Sequence, residues 1–150
     1  MSIRPTSITG AEDRASKSLF KDIPRHASGG MFLGTITVTL QVGDHQGDRF
    51  EELDIIVDTG STYTALPRAI LERLGVPVQR SLPSETADGR MVPVDVGETT
   101  VRLEGLQFHT PVIFAEPNES SLLGVVTLEE AALAVDPVAG RLIPTHLLRY

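Results

Sequence analysis

The amino-acid sequence predicts a mainly-β domain, a small barrel or sandwich carrying one or two short helices. Three observations lead there. The first well-patterned stretch alternates apolar and polar residues with period two, turn-forming residues recur at short intervals, and only two brief segments carry helical signals. A chain of 150 residues is the size of one domain and long enough to bury a core without staples.

The elements follow in order. Ile36, Val38, Leu40 and Val42 alternate with Thr35, Thr37, Thr39 and Gln41, the pattern of a half-buried strand whose β-branched residues suit a pleated surface. The run Gly43-Asp44-His45-Gln46-Gly47-Asp48 is a turn, and residues 50–57 return as a second strand ending in an apolar run, so the two read as a hairpin. Pro67 suits the first position of a helix, Ile70, Leu71 and Leu74 share one face, and Gly75 is placed to end it. Short strands are expected over 76–80, 91–96, 99–103 and 108–114, with a loop over 84–90. A second helix is expected to begin near Leu128. Thr127 and Glu130 have capping-box spacing, and Leu128, Ala131, Ala132 and Val135 would form the buried face. Pro137 would stop it, and Arg141-Leu142-Ile143 gives a last strand. There is no internal repeat and no low-complexity tract.

Composition excludes several classes. The chain has no cysteine, which removes a disulfide framework, a thiolate zinc site and a cysteine nucleophile together. Residues 1–28 carry five basic groups (Arg4, Arg14, Lys17, Lys21, Arg25) against three acidic ones, whereas the remainder has eight arginines against 17 acids. A body that acidic repels a phosphate backbone, so no nucleic-acid partner is expected. The start lacks the apolar run of a secretory signal, and no stretch approaches the ~20 apolar residues of a membrane span; the expectation is a cytoplasmic protein without a membrane partner. Residues 1–28 are polar and aperiodic and read as a flexible extension, Ser28-Gly29-Gly30 marks the junction, and 29–150 reads as one folded domain.

The segment that carries chemistry is Ile55-Ile56-Val57-Asp58-Thr59-Gly60-Ser61. Three β-formers deliver a carboxylate to a loop at the edge of the apolar core. Gly60 lets the backbone turn sharply and bring its N–H to the carboxylate, while Thr59 and Ser61 offer hydroxyls that can hold the side chain and its loop. An acid beside a glycine is common turn chemistry. An unpaired acid at the end of a strongly apolar strand is not, because such a charge costs several kcal/mol unless it is paired, hydrogen-bonded or neutralised.

This segment resembles the active-site loop of aspartic proteases. Downstream, Leu122-Leu123-Gly124 resembles the apolar-apolar-glycine element that threads that loop in the family, and a short helix follows, here 127–135. Between them Ala87-Asp88-Gly89-Arg90-Met91-Val92-Pro93-Val94 looks like the hairpin that closes over substrate as a flap. The likeness covers roughly residues 31–144 and is nearest to bacterial members of the retropepsin-like group. It implies a small closed-barrel acid-protease fold, a catalytic loop at Asp58, Thr59 and Gly60, and substrate contacts at Ser61, Ala87, Asp88, Gly89, Arg90 and Met91. It also implies a structural role for Leu122, Leu123 and Gly124.

The chain has one D-T-G and no second D-[TS]-G; Asp88-Gly89 and Asp136-Pro137 do not fit. The resemblance therefore implies a two-fold homodimer in which each subunit gives one Asp58 and Thr59 links the two loops across the axis. Two adjacent carboxyls share one proton. The charged member takes a proton from a bound water that attacks the peptide carbonyl, and the protonated member donates to the carbonyl oxygen. This chemistry needs no metal, cofactor or covalent intermediate, and the expected partner is a peptide or protein substrate. The chain departs from the group at Val126, where an acidic residue is frequent, and at Ser61, where viral members often carry alanine.

The other polar candidates read as ordinary. His26, His45, His109 and His146 lack metal-site spacing, Glu129-Glu130 suits a solvated helix face and cap, and Asp54 suits a solvated strand edge. Two rival functions remain. A protease-like fold without catalysis could serve as a dimeric peptide-binding scaffold. Asp58-Thr59-Gly60-Ser61-Thr62-Tyr63-Thr64 also resembles the phosphate-binding hairpin of actin-like ATPases, but those folds need two large domains and a strand where a helix started by Pro67 is expected.

Overall fold

The computed structural model describes residues 35–149; the extension 1–28 and the junction at Ser28-Gly29-Gly30 lie outside them. Strands β1 (Ile36–Gly43) and β2 (Phe50–Val57) form the expected hairpin, in register from Ile36↔Val57 to Gly43↔Phe50. Ile36, Val38, Leu40 and Val42 are all buried, so the period-two reading of β1 holds residue by residue. They meet Ile55, Leu66, Val101, Val112 and Leu123 in the core, where each buried aliphatic side chain contributes about 1.5–3 kcal/mol.

The remaining main-sheet strands are β3 (Thr64–Pro67), β4 (Arg80–Glu85), β5 (Met91–Leu103), β6 (Leu106–Ala115) and β7 (Leu122–Leu123). Their order is β1-β2-β7-β3-β6-β5-β4, with β1 pairing β5 as well at Gln41↔Arg102 and Val42↔Val101. Six strands thus return to their own start, and β4 stands outside the ring on β5. The fold is mainly β, as the alternation and turn spacing predict. Helix α1 (Arg68–Arg73) and helix α2 (Val125–Glu130) each have six residues, and a separate two-stranded sheet pairs β8 (Leu133–Asp136) with β9 (Arg141–Pro144).

Several boundaries differ from the sequence reading. Pro67 ends β3 and α1 begins at Arg68, so a strand precedes the helix where none was expected. Residues 76–79 are not a strand; Val76 is buried and its N–H closes back on Leu71. The strand runs instead over Arg80–Glu85, with Pro83 opposite Pro93. Proline fits there because β4 is an edge, where a missing N–H leaves no ladder bond broken. The segments 91–96 and 99–103 are one strand. Gly97 does not interrupt it, but allows close packing: a Cβ there would stand 2.5 Å from the Pro77 carbonyl oxygen.

The second helix starts earlier than expected, with Gly124 at its N-cap. Thr127 and Glu130 form no capping box; Thr127 is fully buried inside the helix and its hydroxyl meets those of Thr64 and Thr110. Ala132, at φ +54°, breaks the helix, so residues 133–136 become β8 and Pro137 falls in the turn towards β9.

Candidate active site

The site is built by threading. β7 lies between β2 and β3, parallel to the first through Ile56↔Leu122 and Val57↔Leu123, and antiparallel to the second through Ala65↔Leu122. The loop from Asp58 to Tyr63 therefore straddles β7. The Asp58 N–H donates to the Leu123 carbonyl at 2.9 Å, while the N–H groups of Val125 and Val126 donate to the carbonyls of Ser61 and Thr62 at 2.8 and 3.0 Å. Gly124 makes this approach possible, because a Cβ would lie 2.6 Å from the Tyr63 carbonyl carbon and oxygen.

Within the loop the Asp58 carboxylate is held at both oxygens. Gly60 N–H donates to Oδ1 at 2.9 Å, and the Ser61 hydroxyl donates to Oδ2 at 3.4 Å. The Ser61 N–H closes the turn on the Asp58 carbonyl at 3.1 Å. Asp58 is half-buried and Thr59 is exposed at the rim. The result is an oriented, half-buried carboxylate, the kind of group acid–base work on a bound water requires. The loop thus brings Gly60 and Ser61 to the Asp58 carboxylate, and Leu122, Leu123 and Gly124 run through it.

The flap-like residues lie elsewhere. β4 and β5 form a two-stranded arm, with Glu85 opposite Met91 and the turn 86–90 between them. Its tip stands about five residues, or ~16 Å of strand, beyond the root. At the root the Arg80 guanidinium reaches the Tyr63 hydroxyl at 3.4 Å, which links arm and loop. Gly89 takes φ +84° to make the turn, and Met91 is 63% exposed. Asp88 and Arg90 serve each other: Asp88 accepts from the Thr86 hydroxyl and from Arg90 Nε at 2.9 Å. The Thr86 hydroxyl first, and then Arg90, hold the Asp88 carboxyl below its ordinary value of 3.8. Asp54 accepts from the Thr39 hydroxyl at 2.9 Å, a cross-strand contact on the outer face.

Sequence reasoning missed the supporting role of four residues. The Gly124 N–H donates to the Thr64 hydroxyl at 3.0 Å, Thr64 meets Thr127 at 2.5 Å, Thr127 meets Thr110 at 2.9 Å, and Thr110 donates to Glu130 Oε1 at 2.7 Å. The two ends fix the direction of the chain. Thr110 gives its proton to the carboxylate, so Thr127 donates to Thr110 and Thr64 donates to Thr127. The fourth residue is Arg68, whose guanidinium joins Asp95 and Glu116. A threonine facing its own kind inside a core has no periodic signature, which is why Thr127 reads as a cap.

The pairing order also bears on the phosphate-hairpin reading. β3 does supply a strand after the loop, removing one objection to it. Yet β2 and β3 do not pair with each other; β7 separates them, so the loop is not a hairpin turn.

A carboxylate loop pinned by a threaded apolar-apolar-glycine strand in a mainly-β ring defines an acid-protease type of domain. Residues 38–127 match the aspartyl protease family, and the chain, with more than half its length inside that match, belongs to this family. The matched region includes Asp58, the β4–β5 arm and Gly124. A comparison with curated proteins gives no match. Among the described residues no helix is long and apolar enough to cross a membrane, and no group of three His, Asp or Glu side chains is placed to hold a metal ion.

Proposed function

We propose that the chain is a retropepsin-like aspartic endopeptidase, of the bacterial single-domain kind, that works as a two-fold homodimer. The observation that carries this reading is the Asp58 carboxylate, fixed by Gly60 N–H and the Ser61 hydroxyl at the mouth of a loop threaded by β7. One such loop supplies one carboxyl, and a second copy supplies the other across the symmetry axis. The pair shares a proton. The ionised member deprotonates the attacking water while the protonated one donates to the peptide carbonyl oxygen. Thr59, exposed beside Asp58, is available for the contact between loops, and the β4–β5 arm covers the bound peptide.

Cleavage of an unstructured protein at about pH 4–7, with and without pepstatin, tests the activity. Asp58→Asn should lower it by about 10²- to 10⁴-fold while leaving the fold intact. Mixing wild-type and Asp58→Asn subunits tests the shared site. In equal, freely exchanging mixtures only about one quarter of dimers carry two intact acids, so activity should fall to that level and not to half. A dimer that cleaves nothing, yet binds peptides, would favour the scaffold reading. Half-activity in the mixture would overturn the shared dyad.

A further inference from the structure

The β4–β5 arm has an anchor at its root that the chemistry at Asp58 does not use. β5 pairs with β6 from Val96↔Ile113 onward; from Asp95 to Met91 its partner among the described residues is β4. A two-stranded ribbon paired on neither outer edge is marginally stable by itself. Its angle to the rest of the domain is therefore set where it leaves the ring. Asp95 is the first residue past that point, and it is gripped by Arg68.

Arg68 Nη2 stands 2.8 Å from Asp95 Oδ2 and 2.8 Å from Glu116 Oε2, and its Nε donates to the same Glu116 oxygen at 2.9 Å. Glu72, one helical turn along α1, lies 3.9 Å from Nη1. The guanidinium carbon also sits 5.2 Å from the Phe114 ring centroid, a cation–π distance. One planar cation thus ties the arm's root to the start of α1 and to the end of β6. A lysine could not reproduce both contacts, since it offers a point charge in place of a fork.

We infer that Arg68 is a positioning residue for substrate binding: through Asp95 it holds the β4–β5 arm at its working angle over the Asp58 site. The inference rests on the reading of that arm as the substrate cover. Because the Arg68 side chain is 26% exposed and that of Asp95 37%, the grip is partly screened and breakable, as a cover that must open requires.

Hydrogen exchange followed by mass spectrometry, on the full chain, reads the arm directly. Asp95→Asn should speed exchange of arm amides over 80–94 about threefold to tenfold, with strands β1 and β6 unchanged. Arg68→Lys, a gentler change, should do the same to a lesser degree. Glu51→Gln, which removes the 2.7 Å ion pair between Glu51 of β2 and Arg73 at the end of α1, should leave the arm's exchange as it is. In cleavage assays Asp95→Asn should raise KM about threefold to tenfold with kcat within twofold. Arm exchange unchanged in both Asp95→Asn and Arg68→Lys overturns the inference, whether or not the protein cleaves peptides. Faster exchange with an unaltered KM overturns the substrate-covering role on which it rests.

Discussion

Replacing Gly124 with alanine should cost the fold about 1–5 kcal/mol, even though its backbone suits alanine. Its φ of −93° and ψ of 173° are extended geometry open to any residue, so the whole effect is steric. The new Cβ would meet the carbonyl carbon and oxygen of Tyr63 at 2.6 Å and the carbonyl oxygen of Ser61 at 2.9 Å. All three are main-chain atoms, and no rotamer change can relieve the clash. Reaching ordinary contact at 3.4 Å from 2.6 Å means parting the two segments by about 0.8 Å. The bonds from Val125 N–H and Val126 N–H, now 2.8 and 3.0 Å, would then exceed hydrogen-bonding distance. Overpacking costs about 1–3 kcal/mol, and each weakened bond about 0.5–1.5 kcal/mol. A stiffer unfolded chain returns about 0.4–1 kcal/mol. Urea denaturation reads the change as a lower midpoint at constant slope. Gly75→Ala is the matched control: at φ +72°, with nothing within 4 Å of the added Cβ, it carries backbone strain of about 1–2 kcal/mol and no clash. If Gly124→Ala is no more damaging than Gly75→Ala, the threading role of Gly124 fails.

The other predictions concern the supports of the site and its behaviour in acid. Thr127→Val should destabilise by about 1–3 kcal/mol, because the Thr64 hydroxyl loses its acceptor in a fully buried position. Thr127→Ser keeps the relay and should lose less; equal losses in denaturation would show that the hydroxyl is immaterial. Among the described residues three carboxyls are held below their ordinary values: Glu51 below 4.5 by Arg73, Asp44 below 3.8 by the Asp48 N–H, and Asp88 below 3.8 by the Thr86 hydroxyl. Each depressed group favours the folded state above its ordinary value and loses that contribution as pH falls through its lowered one. The urea midpoint should therefore be level above about pH 5 and fall steadily below about pH 4, with a shallower fall in Glu51→Gln. A midpoint unchanged down to about pH 3 would refute this.

What the sequence makes legible is what repeats or what has a one-residue meaning. The alternation of β1 is read correctly because every second residue from Ile36 to Val42 faces one core. The D-T-G loop is legible because Gly60 turns the chain beside an acid; L-L-G is legible only through its resemblance to the family's element, and the work of Gly124, letting two backbones touch, shows only in the fold. β7 could not be found this way: two residues have no period, and only the long-range ladder to Val57 and Ala65 makes Leu122–Leu123 a strand. The second helix misleads for the opposite reason. Leu128, Ala131, Ala132 and Val135 have helical spacing, but Ala132 takes a left-handed turn and the last of these positions belongs to β8.

The residues that hold the site are harder to see than the residue that would act. Thr64, Thr110 and Thr127 lie 17 to 63 positions apart along the chain, and each alone is an unremarked threonine in a β-rich sequence. Their meaning comes from order: a row of hydroxyls can donate in one direction only when an acceptor closes one end and a donor the other. Glu130 and the Gly124 N–H are those ends. Because the Gly124 N–H is the donor, the relay grips the backbone that threads the Asp58 loop. Arg68 shows the same logic with charge. Its two hydrogen-bonded carboxylates, Asp95 and Glu116, are 27 and 48 residues away, and neither would be chosen from spacing. A site of this kind is therefore specified twice, once by a short motif that places the acid, and once by distant polar residues whose pairing holds the loop and the root of the arm.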